Sequence, residues 1–266
     1  MEPGVAGDGS PDRRALVVED DADIRSLIDL TLSAQGFVIR TAATGRDGLQ
    51  LAREWEPDLI TLDLGLPGID GLEVCRRVRE FSDAYLIVVS ARQDEVDRLM
   101  ALQTGADDFL VKPFSPRELQ ARVTAMFRRP RSGSGSGAIP VVEDATPASA
   151  VETVVLGGAP VPADHEVLRH GPVAIDVDGR RAFVLDEEVD LTRTEFDLLT
   201  HLMRTPARVW TREALLRTVW GNDWVGDAHL VEVHIGNLRR KLTQASGDRG
   251  LIHTVRGVGY RMGGAV

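Results

Sequence analysis

Short apolar runs alternate with helical stripes through the first half of the chain. The runs fall at Ala15–Glu19, Val38–Ala42, Leu59–Leu62, Leu86–Val89 and Phe109–Val111. Between the first two, Ile24, Leu27, Ile28 and Leu32 keep helical spacing. Ser115-Pro116-Arg117-Glu118 has the form of a capping box with proline at the first helical position, so a helix follows it. Five strands alternating with helices predict an α/β domain over residues 14–129, a doubly wound five-stranded parallel sheet. In that architecture ligands sit beyond the carboxyl ends of the strands.

The pattern then changes. Residues 130–164 are rich in Gly, Ser, Pro and Ala and hold no period, which predicts a flexible linker of 35 residues. Beyond it, Val167–Asp176 and Ala182–Val189 are β-like runs that fit a small antiparallel sheet. Thr192-Arg193-Thr194-Glu195 is a capping box ahead of Phe196, Leu199, Leu202 and Met203, and Thr211 caps a second helix carrying Leu215 and Leu216. A third helix is expected from about Ala228 to Leu242, with the apolar stripe Val231, Ile235, Leu238 and Leu242. His229, Val233, Gly236, Asn237 and Arg240 lie on its opposite face, and a glycine-containing ribbon, IHTVRGVGYRM, follows. Three helices and a β-ribbon over residues 165–266 predict an α+β helix-turn-helix unit with a wing.

Composition narrows the function classes. The single cysteine, Cys75, excludes a disulfide framework and fits a reducing compartment. No apolar run approaches the roughly 18 residues of a membrane span, so no membrane role and a cytoplasmic location are expected. The formal net charge is -10. An even spread of that charge would argue against nucleic acid, but residues 14–129 carry net -5, whereas residues 229–266 carry six basic and two acidic side chains. An acidic front and a basic end point to two tasks in one chain. Lysine is rare: Lys112 and Lys241 are the only two among 31 basic residues.

Polar residues gather at the predicted strand ends: Glu19 and Asp20 after the first, Asp63 after the third, Ser90 at the fourth and Lys112 after the fifth. One acid at a strand end is ordinarily a solvated surface residue. Three converging on one crevice would repel one another, and a divalent cation with oxygen ligands, Mg²⁺, resolves that. An aspartate there can attack a phosphoryl group to form an acyl phosphate. Ser90 and Lys112 then bind the remaining oxygens, with lysine supplying a compact charge on a flexible stem.

LVVEDDADIR, TLDLGLPGIDG, VVSAR and GADDFLVKPFSPREL resemble, in order and spacing, the receiver domain of two-component response regulators. The resemblance covers residues 14–128. It implies that Asp63 accepts phosphate from a histidine kinase and that Asp20, Asp63 and the carbonyl of Gly65 bind Mg²⁺, with Glu19 acting through water. It further implies that Ser90 binds the phosphoryl group and moves inward, that Phe109 is the aromatic switch, and that the Lys112-Pro113 bond is cis. Gly65 departs from the family, where a larger side chain is usual at this position; the departure exposes the acyl phosphate to solvent.

In the second half, LTRTEFDLLTHL, TREALLRTVWG, VEVHIGNLRRKL and TVRGVGYRM resemble the winged-helix effector of the OmpR/PhoB family over residues 166–262. The resemblance implies that His229, Glu232, Val233, Asn237 and Arg240 face double-stranded DNA. Asn237 would meet an adenine edge and Val233 a thymine methyl. His234, Arg239, Lys241 and Thr254 are assigned to phosphate contacts or local structure, and Arg256 to the minor groove. Gly236 stands where relatives carry a basic residue or Ser. A phosphorylated homodimer is implied, with Arg98, Asp107, Asp108, Glu118 and Arg122 at its two-fold interface. Arg98 would pair with Glu118, and Asp107 or Asp108 with Arg122. RNA polymerase is a further implied partner.

A phosphorylation-controlled DNA-binding regulator is the leading reading. A metal-dependent phosphatase is disfavoured because such enzymes carry a second acid two residues after the nucleophile, where this chain has Gly65. A phosphorylation-independent regulator is disfavoured because the acid pair, the acceptor and Lys112 are all present. The 35-residue linker would span about 33 Å as a random coil. That is close to the ~34–36 Å between sites one DNA turn apart. The two domains are therefore expected to be mechanically decoupled, with phosphate acting by joining effectors and not by releasing a docked one.

Overall fold

The computed structural model describes residues 13–92, 94–127, 154–221 and 229–264. The first unit runs β1 (Arg14–Val18), α1 (Ala22–Ser33), β2 (Val38–Ala42), α2 (Gly45–Trp55), β3 (Leu59–Leu62), α3 (Gly71–Val78), β4 (Tyr85–Ser90), α4 (Glu95–Thr104), β5 (Asp108–Val111) and α5 (Pro116–Met126). Its sheet is parallel throughout, in the order β2-β1-β3-β4-β5. Helices cover both faces, so β3 and β4 are buried at every position, and this is why they read as unbroken apolar runs. The five predicted strands are the five observed. At α5, Ser115 accepts from the Glu118 backbone N–H as a cap requires, but the Glu118 carboxylate turns to Arg122, so only half of the capping box forms.

The second unit contains β6 (Val155–Leu156), β7 (Ala159–Pro160), β8 (Val167–His170), β9 (Val173–Asp176), β10 (Arg181–Val184), β11 (Glu187–Glu188), α6 (Arg193–Arg204), β12 (Trp210–Thr211), α7 (Arg212–Trp220), α8 (His229–Ser246), β13 (Ile252–Val255) and β14 (Gly259–Met262). Strands β8–β11 form one antiparallel sheet, and β12, β14 and β13 form another that carries the wing. The capping box at Thr192 and Glu195 closes in both directions. The stripe Val231, Ile235, Leu238 and Leu242 is buried as predicted.

Three expectations need correction. Each β-like run is two strands: Gly171 turns the first at positive φ, and Leu185 and Asp186 turn the second. The third helix extends beyond Leu242 to Ser246 and stops at Gly247, whose φ of 74° suits a glycine terminator. The predicted linker ends earlier than residue 164. Residues 155–160 form a β6–β7 hairpin, and Leu156 and Val161 pack with Ala174 and Phe183. The rest of that segment, residues 130–153, and Ala228 lie outside the described residues. Among the described residues no helix is long and apolar enough to cross a membrane.

Candidate functional site

The strand order reverses beside β1, so the carboxyl ends of β1 and β3 open one crevice. Glu19 and Asp63 are buried there, and Asp20 is exposed at the mouth. Lys112, just past β5, donates to Glu19 Oε1 at 2.7 Å and to Asp63 Oδ2 at 2.9 Å. The Gly65 N–H donates to Asp63 Oδ1 at 3.0 Å. Ser90, at the end of β4, is buried and accepts from the Arg92 backbone N–H at 3.2 Å. The Lys112-Pro113 bond is cis. Gly71 fixes the floor: a Cβ there would lie 2.4 Å from the Asp63 carbonyl oxygen, so only glycine lets α3 start this close to the acceptor loop.

The electrostatics suit a divalent cation. Burial raises the Glu19 carboxyl, the Lys112 hydrogen bond opposes the shift, and the neighbouring Asp63 and Asp20 charges add to it. Burial alone would depress the Lys112 ammonium, but its bonds to Glu19 and Asp63 hold it above its usual range. Glu19 Oε2 is buried without a partner. Oxygens of Glu19, Asp20 and Asp63 come within 4.8 Å of one another. A donor set made only of oxygen, one of them orphaned, fits Mg²⁺. Gly65 is exposed, and a Cβ there would stand 3.4 Å from Asp63 Oδ2, so Asp63 is open on that side.

The α8 residues divide into two groups. Gly236 and Arg240 are exposed. His229 and Glu232 are partly exposed and bond each other at 3.0 Å, and Glu232 also pairs with Arg212 at 2.6 Å. Val233, His234 and Asn237 are buried. On the wing, Thr254 and Arg256 are exposed. Arg239 braces the wing through Ile252 O at 3.0 Å and Thr254 Oγ1 at 2.7 Å. Lys241 bonds Glu195 at 2.7 Å. Arg239 and Lys241 are thus engaged within the second unit.

What buries the α8 face is the first unit, whose α4 packs against α8. Asn237 Nδ2 donates to Leu102 O at 3.0 Å, and His234 Nε2 donates to Asp107 O at 3.1 Å. Elsewhere in the interface the Tyr85 hydroxyl donates to Asp197 Oδ2 at 3.0 Å, and Arg193 lies 3.4 Å from Asp58 and 3.5 Å from Asp83. Helices α5 and α7 also meet. One apolar cluster includes Leu102 and Phe109 of the first unit and Trp220 and Val233 of the second. The expectation of decoupled domains is corrected: the two units are docked. Tyr85, Arg193, Asp197 and Leu102 were not singled out from sequence, because no local spacing links residues more than a hundred positions apart.

The charged positions assigned to a two-fold interface find partners within the chain. Arg122 pairs with Asp108 at 2.8 Å and with Glu118 at 2.8 Å. Asp107 pairs with Arg79 at 2.6 Å and not with Arg122. Burial pushes the Asp108 carboxyl up to about 6 against the pull of Arg122. Phe109 is buried in the cluster that reaches the second unit.

Residues 15–124 match the response regulator receiver domain family, and residues 186–262 match the family described as transcriptional regulatory protein, C terminal. The chain is 41% identical over 261 residues to the transcriptional regulatory protein PrrA of Mycobacterium tuberculosis, covering 98% of each chain. It is 39% identical to the transcriptional regulatory protein AfsQ1 of Streptomyces coelicolor, covering 93% of this chain and 96% of that one. It is 38% identical to the DNA-binding response regulator MtrA of Mycobacterium tuberculosis, covering 94% and 97%. Among solved structures, a RitR mutant superposes with a TM-score of 0.69 at 25% identity, covering 95% of this chain and 99% of that one.

Proposed function

The chain belongs to the OmpR/PhoB-type response regulators, two-component transcription regulators that bind DNA, and from that membership we propose that a histidine kinase phosphorylates Asp63 and so frees the α8 face for double-stranded DNA. The observation that carries the reading is the crevice: a buried Asp63 held 2.9 Å from the Lys112 ammonium, beside the orphaned Glu19 Oε2.

Asp20, Asp63 and the Gly65 carbonyl would hold Mg²⁺, with Glu19 acting through water. When bound, the cation offsets the charge that gathers on the phosphoryl oxygens. The chain's own groups do the rest. Asp63 supplies the attacking carboxylate. Lys112 leaves its acid partners to bind a phosphoryl oxygen, and Ser90 binds another. Movement of Ser90 and of β5 carries the change to Phe109 and on to Asp107, whose carbonyl holds His234. Loss of that contact, with the one from Asn237 to Leu102, uncovers the buried Val233 and Asn237, which then reach bases together with His229, Glu232 and Arg240, while Arg256 enters the minor groove.

The docked second unit packs against α4 and α5, the helices assigned to dimerisation. Docking and pairing are therefore alternatives, and release permits a homodimer in which Arg98 meets Glu118, and Asp107 or Asp108 meets Arg122. RNA polymerase is the partner the DNA-bound dimer presents itself to, and the setting is the cytoplasm. The chain is proposed not to turn over outside phosphate esters.

Incubation with Mg²⁺ and acetyl phosphate tests the assignment. The intact protein is expected to gain one labile phosphate by mass and to bind DNA more tightly. Asp63→Asn is expected to do neither. An adduct retained in Asp63→Asn would falsify the assignment.

A further inference from the structure

His234 lies in the docked interface with 1% of its surface exposed. Its Nε2 contacts the Asp107 carbonyl, which only accepts, so Nε2 carries the proton and Nδ1 is the bare nitrogen. Nδ1 is buried and has no partner. The Trp220 ring of α7 packs 5.5 Å from the imidazole. A second proton placed on Nδ1 would have no acceptor there.

The charged groups that act on this ring are Asp107, Arg79 and Glu195. Asp107 leads into β5, and its Oδ2 is taken by Arg79 at 2.6 Å and by the Leu86 N–H at 2.8 Å, while its Oδ1 is bare. Arg79 follows α3 and repels a charged ring. Glu195 of α6 is engaged by Lys241 of α8 at 2.7 Å and by the Thr192 N–H at 2.9 Å. Helix α4 presents a backbone carbonyl, Leu102 O, to Asn237 one turn away.

We propose that His234 is an acid-released latch: its protonation undocks the second unit and uncovers the recognition helix without phosphate. The proposal rests on the reading of the docked arrangement as the resting state. Burial outweighs the pull of Asp107 and Glu195 and holds the docked imidazole below its ordinary range. Undocked, the ring regains water and an ordinary value of about 6.5. The docked state binds the proton more weakly. Docking is therefore fully held above pH about 6.5 and weakens as pH falls below it, by up to about tenfold per unit for one proton.

Small-angle scattering of the unphosphorylated full chain between pH 7.5 and 5.5, at fixed salt, tests this. The wild-type radius of gyration is expected to rise as pH falls. His234→Gln keeps a donor for Asp107 O and cannot titrate, so it is expected to stay compact. Equal expansion in His234→Gln would assign the transition to another acid-sensitive group, such as Asp108, and overturn the latch. A wild type compact at every pH would overturn the latch and leave the docked resting state standing. A wild type extended already at pH 7.5 would sink the docked state and the latch together. Asn237→Ala offers a second check: with docking weakened, the midpoint of expansion moves to higher pH, and an unmoved midpoint contradicts the proposal.

Discussion

The crevice at the carboxyl ends of β1 and β3 and the inner face of α8 both bury polar side chains, but those side chains are partnered differently. In the crevice, Lys112 satisfies one oxygen each of Glu19 and Asp63, while Glu19 Oε2 keeps no partner and Asp20 and Gly65 face water. On α8, Asn237 and His234 already donate to carbonyls of the same chain. That site is filled, and its filler is the domain that holds the first site. The crevice therefore opens to solvent while the α8 face is closed.

The largest effect is expected from breaking the open site. Glu19→Gln removes a charge next to the cation position, and outer-shell changes of this kind lower metal affinity by roughly 10- to 100-fold. Calorimetric titration with Mg²⁺ measures it, and the closed face should be untouched, so scattering at neutral pH should not change. Next comes a loosening of the filled site away from α8. Tyr85→Phe deletes the hydroxyl that meets Asp197, which keeps Arg180 at 2.9 Å. The loss of about 1 kcal/mol of docking should raise DNA affinity of the unphosphorylated chain roughly fivefold in a fluorescence anisotropy titration. Unchanged affinity would mean that this contact does not hold the domains together.

Gly236 sharpens the comparison from within α8. A Cβ there meets nothing within 4 Å, so Gly236→Ala should strengthen the helix by about 1 kcal/mol. Denaturant unfolding should show the gain with Mg²⁺ affinity unaltered. The smallest effect is expected at Gly65. Its added side chain would begin 3.4 Å from Asp63 Oδ2, so Gly65→Met should shield the acyl phosphate. A lifetime roughly two- to threefold longer, about 0.5 kcal/mol on the barrier, would be read from loss of the phosphate adduct over time.

What could be read in the sequence follows the same division. The crevice was legible because a parallel sheet writes itself as continuous apolar runs, and these runs end on residues that line it: Asp63 after Leu59–Leu62, Ser90 closing β4. The Thr192–Glu195 box marked α6 because both of its hydrogen bonds are local. The β6–β7 hairpin was not legible. Its strands are two residues long and turn on Gly157 and Gly158, so composition reads as linker, and the Phe183 that covers it lies in a different strand. The docked interface was hidden for another reason. Asn237 and His234 are polar residues on a face that polar residues are expected to occupy, and nothing in their spacing separates a base contact from a contact with Leu102 or Asp107. Arg79 and Asp107 are 28 positions apart and on separate elements, beyond any periodic signal.

With Asn237 meeting bases as proposed, its double use has a consequence for how such a regulator changes over generations. A substitution there is read twice, once by the operator and once by the first domain's own backbone. A variant selected for a new target sequence arrives with a new basal level of expression, and a variant selected for tighter silence arrives with altered target choice. The two traits cannot drift independently while one side chain serves both, so a second change elsewhere in the interface, at Tyr85 or Asp197, is the natural companion of any new specificity.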